Sequence, residues 1–139
     1  MSQNSEAPRY ISQPELAELL TNKSTSQTTA VVDCRDEDRN EGGWVRGSIH
    51  FPSKRATPDA YAQLFASLTQ SGMKRVVFHC MHSQVRGPTG ARKFVTMFPA
   101  QARNGLEVLI LEGGIQGFFR WADANHRMEL VERTSQCFL

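Results

Sequence analysis

One short segment of this sequence combines a nucleophile with an anion-binding group, and it runs His79-Cys80-Met81-His82-Ser83-Gln84-Val85-Arg86-Gly87-Pro88. Cys80 and Arg86 enclose five residues. A thiolate is a strong nucleophile, and a guanidinium offers a planar fork of N–H donors that fits an oxyanion. The spacing therefore predicts a loop in which Cys80 attacks an oxyanion held by Arg86 and by the backbone N–H groups between them.

The residues on either side of this loop predict a strand before it and a helix after it. The apolar positions that support these two elements are Val76, Val77 and Phe78 for the strand, and Ala91, Phe94, Val95 and Phe98 for the helix. Such an arrangement brings a helix N-terminus close to Cys80, where it favours both the thiolate and a bound anion. The alternative is an inert buried cysteine beside an unrelated surface arginine.

Strands and helices alternate along the rest of the chain, which predicts an α/β fold. The predicted strands are 30–33, 48–52, 75–79 and 107–111. A first helix is predicted after the capping box of Ser12 and Glu15, and three more are predicted at 58–72, 88–98 and 115–125. The apolar strands lack two-residue alternation, as expected for a parallel sheet covered by helices on both faces. Ligands of such sheets bind beyond the carboxyl ends of the strands, where Cys34 and Cys80 both fall.

Composition indicates one domain over residues 1–139, with a loose segment at 1–9 and a tail at 126–139 whose position the sequence leaves open. The net charge of +2 gives no reason to expect nucleic acid or a membrane as a partner. Neither an apolar signal region nor a run of eighteen apolar residues occurs, so we expect a cytoplasmic protein.

Three cysteines, Cys34, Cys80 and Cys137, are too few for a disulfide framework. His79 and His82 flank Cys80, but no second cluster of Cys and His at ligand spacing accompanies them. We therefore expect reduced thiols, no metal and no bound cofactor.

Three segments taken together resemble a known family. They are Val31-Val32-Asp33-Cys34-Arg35 with Glu41-Gly42-Gly43, the loop from His79 to Pro88, and Leu111-Glu112-Gly113-Gly114 with Phe118-Phe119. These segments resemble the rhodanese-fold family, in the branch of cell-cycle dual-specificity phosphatases and eukaryotic arsenate and antimonate reductases. The similarity extends from about Val31 to Trp121. It implies a rhodanese-like three-layer sandwich, in which a central, mostly parallel sheet of about five strands is flanked by helices.

The resemblance also implies catalytic roles for Cys80 and Arg86. The oxyanion-binding loop would consist of Met81, His82, Ser83, Gln84, Val85 and Arg86. Sulfurtransferases of this fold have a loop one residue shorter, so the seven-residue loop favours phosphate or arsenate over sulfur transfer. The phosphatases carry glutamates where this chain has Met81 and Val85, and ester cleavage benefits from an acid that protonates the leaving oxygen. We therefore expect a thiol-dependent arsenate reductase, with antimonate as a second candidate substrate and glutathione or a glutaredoxin as electron donor.

Three alternatives stay open. The first is a protein or small-molecule phosphatase with a cysteinyl-phosphate intermediate, in which Glu37, Asp38 or Glu112 folds inward as the acid. The second is a sulfurtransferase, and the third is a non-catalytic rhodanese-like binding module. The ligand would be a tetrahedral oxyanion in most of these cases: arsenate, antimonate, phosphate or sulfate.

Cys34 occupies the position at which these phosphatases carry a cysteine that forms a reversible disulfide with the nucleophile. It is therefore a candidate resolving thiol, and its alternative is a small buried hydrophobe. Cys137 is a weaker candidate. His82 could shuttle a proton near neutral pH, although side chains of such loops usually point outward.

Two further sets of residues are expected to be structural. His79 would orient the loop through a hydrogen bond to the backbone, and Asp33 with Arg35 would lie beneath it. The cluster of charges at 35–39 is expected to form a solvated face of mixed sign.

Overall fold

Seven strands make two sheets in the computed structural model, which describes residues 7–134. The strands are β1 (Arg9–Ile11), β2 (Thr29–Asp33), β3 (Trp44–Val45), β4 (Ile49–His50), β5 (Arg75–His79), β6 (Glu107–Leu111) and β7 (Val131–Glu132). The main sheet has the order β1-β6-β5-β2-β4, and every neighbouring pair in it is parallel. The second sheet is the antiparallel pair of β3 and β7.

Five helices complete the described fold. They are α1 (Gln13–Thr21), α2 (Pro58–Gln70), α3 (Arg86–Met97), α4 (Ala100–Arg103) and α5 (Gly114–Ala124). The predicted capping box begins α1, since the Ser12 hydroxyl accepts from Glu15 N–H and the Glu15 carboxylate accepts from Ser12 N–H. No helix within residues 7–134 is long and apolar enough to cross a membrane.

The main sheet separates two apolar layers, which confirms the predicted three-layer sandwich. Val32 and Phe78 point into one layer with side chains from α2 and α3, whereas Val31 and Val77 point into the other with side chains from α1 and α5. Strands buried on both faces explain the continuous apolar runs in the sequence. Phe94 of α3 lies 5.5 Å from Phe78, ring centre to ring centre, and anchors the helix that begins at Arg86.

Some short elements differ from the expectation. Arg9 was expected in the loose segment but belongs to β1, which pairs with β6. The tail is in place as far as the structure describes it, because Val131 and Glu132 pair with β3. The short strands β1, β3 and β7 were not recognised because two or three residues carry too little periodicity, whereas β4 lies within the predicted strand 48–52.

Candidate active site

The two cysteines lie side by side at the carboxyl ends of neighbouring strands. The register of β2 and β5 pairs Asp33 with His79, so Cys34 and Cys80 are the next residue on each strand. Cys34 N–H also donates to the His79 carbonyl at 2.8 Å. Cys34 is 2% exposed and Cys80 3% exposed. Both thiols are therefore buried at the edge where parallel sheets bind their ligands.

The loop from Cys80 to Arg86, called the thiol loop below, is held from behind by the N-terminus of α5. The N–H groups of Ile115 and Gln116 donate to the carbonyls of Cys80 and Met81 at 3.0 and 3.1 Å. This approach requires glycine at position 114, where φ is +63° and a Cβ would collide with both carbonyl oxygens. The first two carbonyls of the loop are thus turned toward α5.

The N–H groups of the thiol loop remain available. Within residues 7–134, no hydrogen bond uses the N–H groups of 81–85 as donors. Ser83 has a φ of +55°, and left-handed residues of this kind occur in turns whose successive N–H groups bind anions. A Cβ on Gly87 would lie 3.0 Å from the Cys80 nitrogen, so the first turn of α3 is also close. Together these groups form a cradle that favours an anion beside Cys80.

Arg86 begins α3, and its guanidinium binds two carboxylates. Nη1 and Nη2 donate to the two oxygens of Asp38 at 3.0 and 2.8 Å, and Nη1 lies 3.4 Å from Oδ2 of Asp36. Hydrogen bonding to Asp38 raises the pKa of Arg86 above its ordinary value, against the opposing effect of burial. The guanidinium therefore stays charged, and its two-bond fork is the geometry by which arginine binds oxyanions.

The two carboxylates are held differently. Asp36 is 8% exposed, and its oxygens accept from the Ser53 hydroxyl at 2.7 Å and from Lys54 N–H at 2.9 Å. Burial alone would raise the pKa of Asp36, but these hydrogen bonds hold it below its ordinary value. The bonds from Arg86 do the same to the pKa of Asp38, so both groups are ionised at neutral pH. The prediction of a solvated face is wrong for Asp36 and for Arg35, which is 0% exposed.

The other carboxylates considered as acids lie elsewhere. Glu37 is exposed and forms a surface ion pair with Lys54 at 3.4 Å. Glu112 is exposed, and its backbone carbonyl accepts from the Gln13 side chain. Of Glu37, Asp38 and Glu112, only Asp38 reaches Arg86 in the described part of the chain.

His79 is fully buried beneath the thiol loop. Its Nδ1 lies 3.1 Å from the Cys80 carbonyl oxygen, and burial lowers the pKa of the ring. A neutral imidazole that donates from Nδ1 satisfies this contact. The ring therefore orients the loop, as the sequence predicted.

A buried ion pair supports the same region. Asp33 and Arg35 are each 0% exposed, with 2.7 Å between Oδ2 and Nη2, and Arg39 Nε lies 3.2 Å from the same oxygen. Arg35 also donates from its backbone N–H to Asp33 Oδ1 at 3.1 Å and from Nη2 to the Gly43 carbonyl at 2.8 Å. These contacts fix the start of the segment that carries Asp36 and Asp38.

Cys34 opens onto a small pocket of about 100 Å³. Other residues that line it are Phe51, Tyr61, Arg86, Thr89 and Gly90. Burial, and then the neighbouring Cys80, raise the pKa of the Cys34 thiol, which is protonated at neutral pH. Burial also raises the pKa of Tyr61 to about 12. Cys137 lies outside the described residues.

The remaining loop side chains take no part in the observed hydrogen bonds. His82, Gln84 and Val85 are exposed, whereas the Ser83 hydroxyl is buried with no hydrogen-bond partner in residues 7–134. Proton transfer by His82 stays a prediction. No group of three or more His, Cys, Asp and Glu side chains in this described range is arranged to hold a metal ion.

Comparison with known proteins identifies the family to which the chain belongs. The model of the rhodanese-like domain family matches residues 12–120, so the chain belongs to this family. The match confirms the resemblance predicted from the three sequence segments.

The relatives include two kinds of enzyme. The chain is 37% identical over 91 residues to the dual specificity phosphatase Cdc25 of Arabidopsis thaliana, covering 64% of this chain and 60% of that protein's length. It is 31% identical over 114 residues to arsenate reductase 2.1 of Oryza sativa subsp. japonica, covering 79% and 68%. It is also similar to the solved structure of an As-Sb reductase from Leishmania major, with 35% identity, a TM-score of 0.78, and coverage of 89% and 84%. The relationships support an enzyme that is a reductase or a phosphatase.

Proposed function

We propose that the protein is a thiol-dependent arsenate reductase, with antimonate as a further substrate and glutathione or a glutaredoxin as electron donor. The observation that carries the proposal is the set of unbonded N–H groups in the loop that begins at Cys80 and ends at Arg86, whose guanidinium already binds a carboxylate through two bonds. Such a cradle fits a tetrahedral oxyanion and places its central atom against the thiolate. The similarity to reductases in two comparisons supports the same choice.

The proposed reaction has three steps. The Cys80 thiolate attacks arsenic(V), a sulfur–arsenic bond forms, and hydroxide leaves and is protonated to water. An external thiolate then attacks the Cys80 sulfur, so that a disulfide forms and the electron pair of the sulfur–arsenic bond passes to arsenic, which departs as arsenite. A second thiol reduces the mixed disulfide and regenerates Cys80, so two thiols are oxidised for each arsenate reduced.

The state of Cys34 favours an external thiol for the second step. Only a thiolate attacks sulfur efficiently, and burial holds the pKa of Cys34 above its ordinary value. Glutathione in solution has no such penalty. The same penalty slows every attack by Cys34, so we assign it to a disulfide with Cys80 that forms only when Cys80 has been oxidised and no external thiol competes.

A phosphatase is the second candidate, and the Arabidopsis relative supports it. Hydrolysis of an ester requires a proton for the leaving oxygen. The two carboxylates at Arg86 are Asp36 and Asp38, and the lowered pKa of each makes it a poor proton donor at neutral pH. Arsenate instead carries hydroxyl groups of its own, so its loss of hydroxide depends less on a protein acid.

A coupled assay tests the proposal. Arsenate is supplied with glutathione, glutaredoxin, glutathione reductase and NADPH, and consumption of NADPH is followed. We expect turnover in the natural protein, none in Cys80→Ser, and a loss of about a hundredfold in kcat/KM in Arg86→Lys, which keeps the charge but loses the fork. Antimonate is assayed in parallel.

Three parallel measurements separate the alternatives. Cleavage of an aryl phosphate without arsenate-dependent NADPH consumption identifies a phosphatase. Transfer of sulfur from thiosulfate to cyanide identifies a sulfurtransferase. Absence of all three activities, in a protein whose Cys80 reacts with iodoacetamide no faster than an ordinary thiol, indicates a binding module.

A further inference from the structure

The guanidinium of Arg86 is shared between two carboxylates that differ in how firmly they are held. Asp36 accepts three contacts from different groups, of which Arg86 is the longest at 3.4 Å. Asp38 gives both of its oxygens to Arg86, at 3.0 and 2.8 Å, and has one further donor, the Asp36 N–H at 2.9 Å from Oδ1. Asp38 thus occupies the two donors that an incoming oxyanion needs.

The backbone of Asp38 is fixed, although its carboxylate faces solvent in part. Asp38 lies in a single 3-10 turn, Glu37–Asn40, whose Asp38 carbonyl accepts from Glu41 N–H at 3.0 Å and from Arg35 Nη1 at 3.4 Å. The side chain is 24% exposed. The carboxylate can therefore leave Arg86 by rotation about its own side-chain bonds, without movement of the turn, and the only other bond to its oxygens in residues 7–134 is the one from Asp36 N–H.

We propose that Asp38 is an internal competitor for the oxyanion, and that it sets the affinity of the site for its substrate. In the resting protein its carboxylate occupies the fork of Arg86, and a tetrahedral oxyanion must displace it. Asp36 retains Arg86 during this exchange and keeps the guanidinium oriented toward the loop. The inference rests on the proposed role of Arg86 in binding an oxyanion, and it adds a specificity-determining residue to that site.

The exchange explains how one arginine can be both buried in part and ready for a ligand. Without Asp38 the partly buried guanidinium would keep only its 3.4 Å contact with Asp36, whereas Asp38 supplies two oxygens at the spacing that an oxyanion also offers. The competing carboxylate has one negative charge. A doubly charged oxyanion, which also gains the N–H groups of the loop, displaces it more readily than a singly charged anion does.

Three isosteric variants of adjacent carboxylates test this inference. Asp38→Asn removes the competitor, and Asp36→Asn removes the residue that retains Arg86. Glu37→Gln is the matched control, because it removes one negative charge from the same turn at an exposed position paired with Lys54. It therefore reports the general electrostatic effect alone.

The first measurement needs no reductase activity. Arsenate, phosphate and sulfate are titrated against alkylation of Cys80 by iodoacetamide, in the absence of reducing thiols, with the Cys80 peptide quantified by mass spectrometry. We expect the concentration for half-protection to fall about tenfold in Asp38→Asn, to rise in Asp36→Asn, and to change within about twofold in Glu37→Gln. In the coupled arsenate assay, Asp38→Asn should lower KM by the same factor while kcat changes much less.

Each other outcome overturns the inference. Equal half-protection in Asp38→Asn and Glu37→Gln means that Asp38 does not compete. A fall in kcat of Asp38→Asn with KM unchanged makes Asp38 a proton donor instead. If no anion protects Cys80 in any variant, the oxyanion site itself is absent, and the proposed function fails together with the inference.

Discussion

Cys34 is one residue whose role can be tested separately from catalysis. In the natural protein, peroxide should oxidise Cys80 to a sulfenic acid, which condenses with Cys34 to a disulfide and loses water. The Cα atoms must lie within about 7 Å for this bond, and the parallel pairing of β2 and β5 supports such proximity.

We predict that Cys34→Ser retains most of its glutathione-dependent arsenate turnover but loses it irreversibly after peroxide treatment. The natural protein should instead yield a product lighter by two hydrogen atoms, which dithiothreitol reverses. Mass spectrometry of the intact chain checks this, and the expectation is wrong if Cys34→Ser recovers as fully as the natural protein.

His79 provides a prediction of pH dependence. Burial lowers the pKa of the ring in the folded protein below its ordinary value of 6.5, although Asp33 opposes this effect. Below about pH 6.5 the unfolded chain therefore binds a proton that the folded protein does not, and the free energy of unfolding falls as pH falls.

In His79→Asn, the amide can still donate to the Cys80 carbonyl, but the titration is gone. Between pH 7.5 and 5.5 the natural protein should lose about 1 kcal/mol more unfolding free energy than the variant does. Urea denaturation at the two pH values measures this difference. Effects that the two proteins share cancel in the comparison, so parallel losses would contradict the prediction.

The sequence predicted Cys80, Arg86 and Cys34 as neighbours because spacing and strand ends determine them. It did not predict the pairing of Arg86 with Asp38. The two bonds of this pair depend on the 3-10 turn Glu37–Asn40, which no periodic pattern in the sequence indicates. Likewise, Asp36 is buried because Ser53 and Lys54 come from a distant stretch of chain.

Helix α5 lies beside the candidate anion site, but its N-terminus binds the protein backbone. Its N-terminal N–H groups bind the carbonyls of Cys80 and Met81 and so shape the thiol loop. The first turn of α3, by contrast, lies next to Cys80 through Gly87. The resemblance singled out Gly113-Gly114, but it did not identify the loop carbonyls that Gly114 approaches.

Gly114→Ala tests this clamp. The substitution combines a positive φ with a collision against the loop carbonyls. It should therefore lower the free energy of unfolding by about 2 kcal/mol or more and also lower arsenate turnover. Gly72→Ala is the control, since Gly72 also has a positive φ of +74° but nothing lies within 4 Å of its added Cβ.

We expect Gly72→Ala to cost only about 1 kcal/mol and to leave kcat/KM unchanged. Thermal unfolding and the coupled assay provide the two readouts. Equal costs for the two variants would show that φ alone matters and that the clamp on the loop is dispensable.

At the scale of the whole molecule, the second sheet closes the fold on the side of Arg35. The Arg39 guanidinium carbon lies over the Trp44 ring in β3, 4.2 Å from the ring centre. The Trp44 indole N–H donates to Glu132 of β7. The C-terminal part of the described chain therefore contributes to the support of the buried ion pair. The sequence left the position of the C-terminal segment open because β7 pairs with β3, which lies far away along the chain.

Val131→Ala measures what this closure contributes. Val131 is 2% exposed, and removal of its two methyl groups should lower the unfolding free energy by about 1.5 kcal/mol. Val85→Ala is the matched control, because Val85 is 68% exposed and should change stability by less than about 0.5 kcal/mol. Urea denaturation compares the two, and a similar cost for both would mean that β7 adds no stability.

The clamp by α5 also determines when the site can form during synthesis. The ribosome releases the thiol loop about thirty residues before Ile115 and Gln116, which hold its carbonyls, and β1 must wait for β6 to pair Arg9 with Leu109. Until then Cys80 is an unprotected thiol on a growing chain. Completion of the site thus waits for the synthesis of α5, and a nascent chain stalled before α5 would expose a nucleophile without the cradle that directs it.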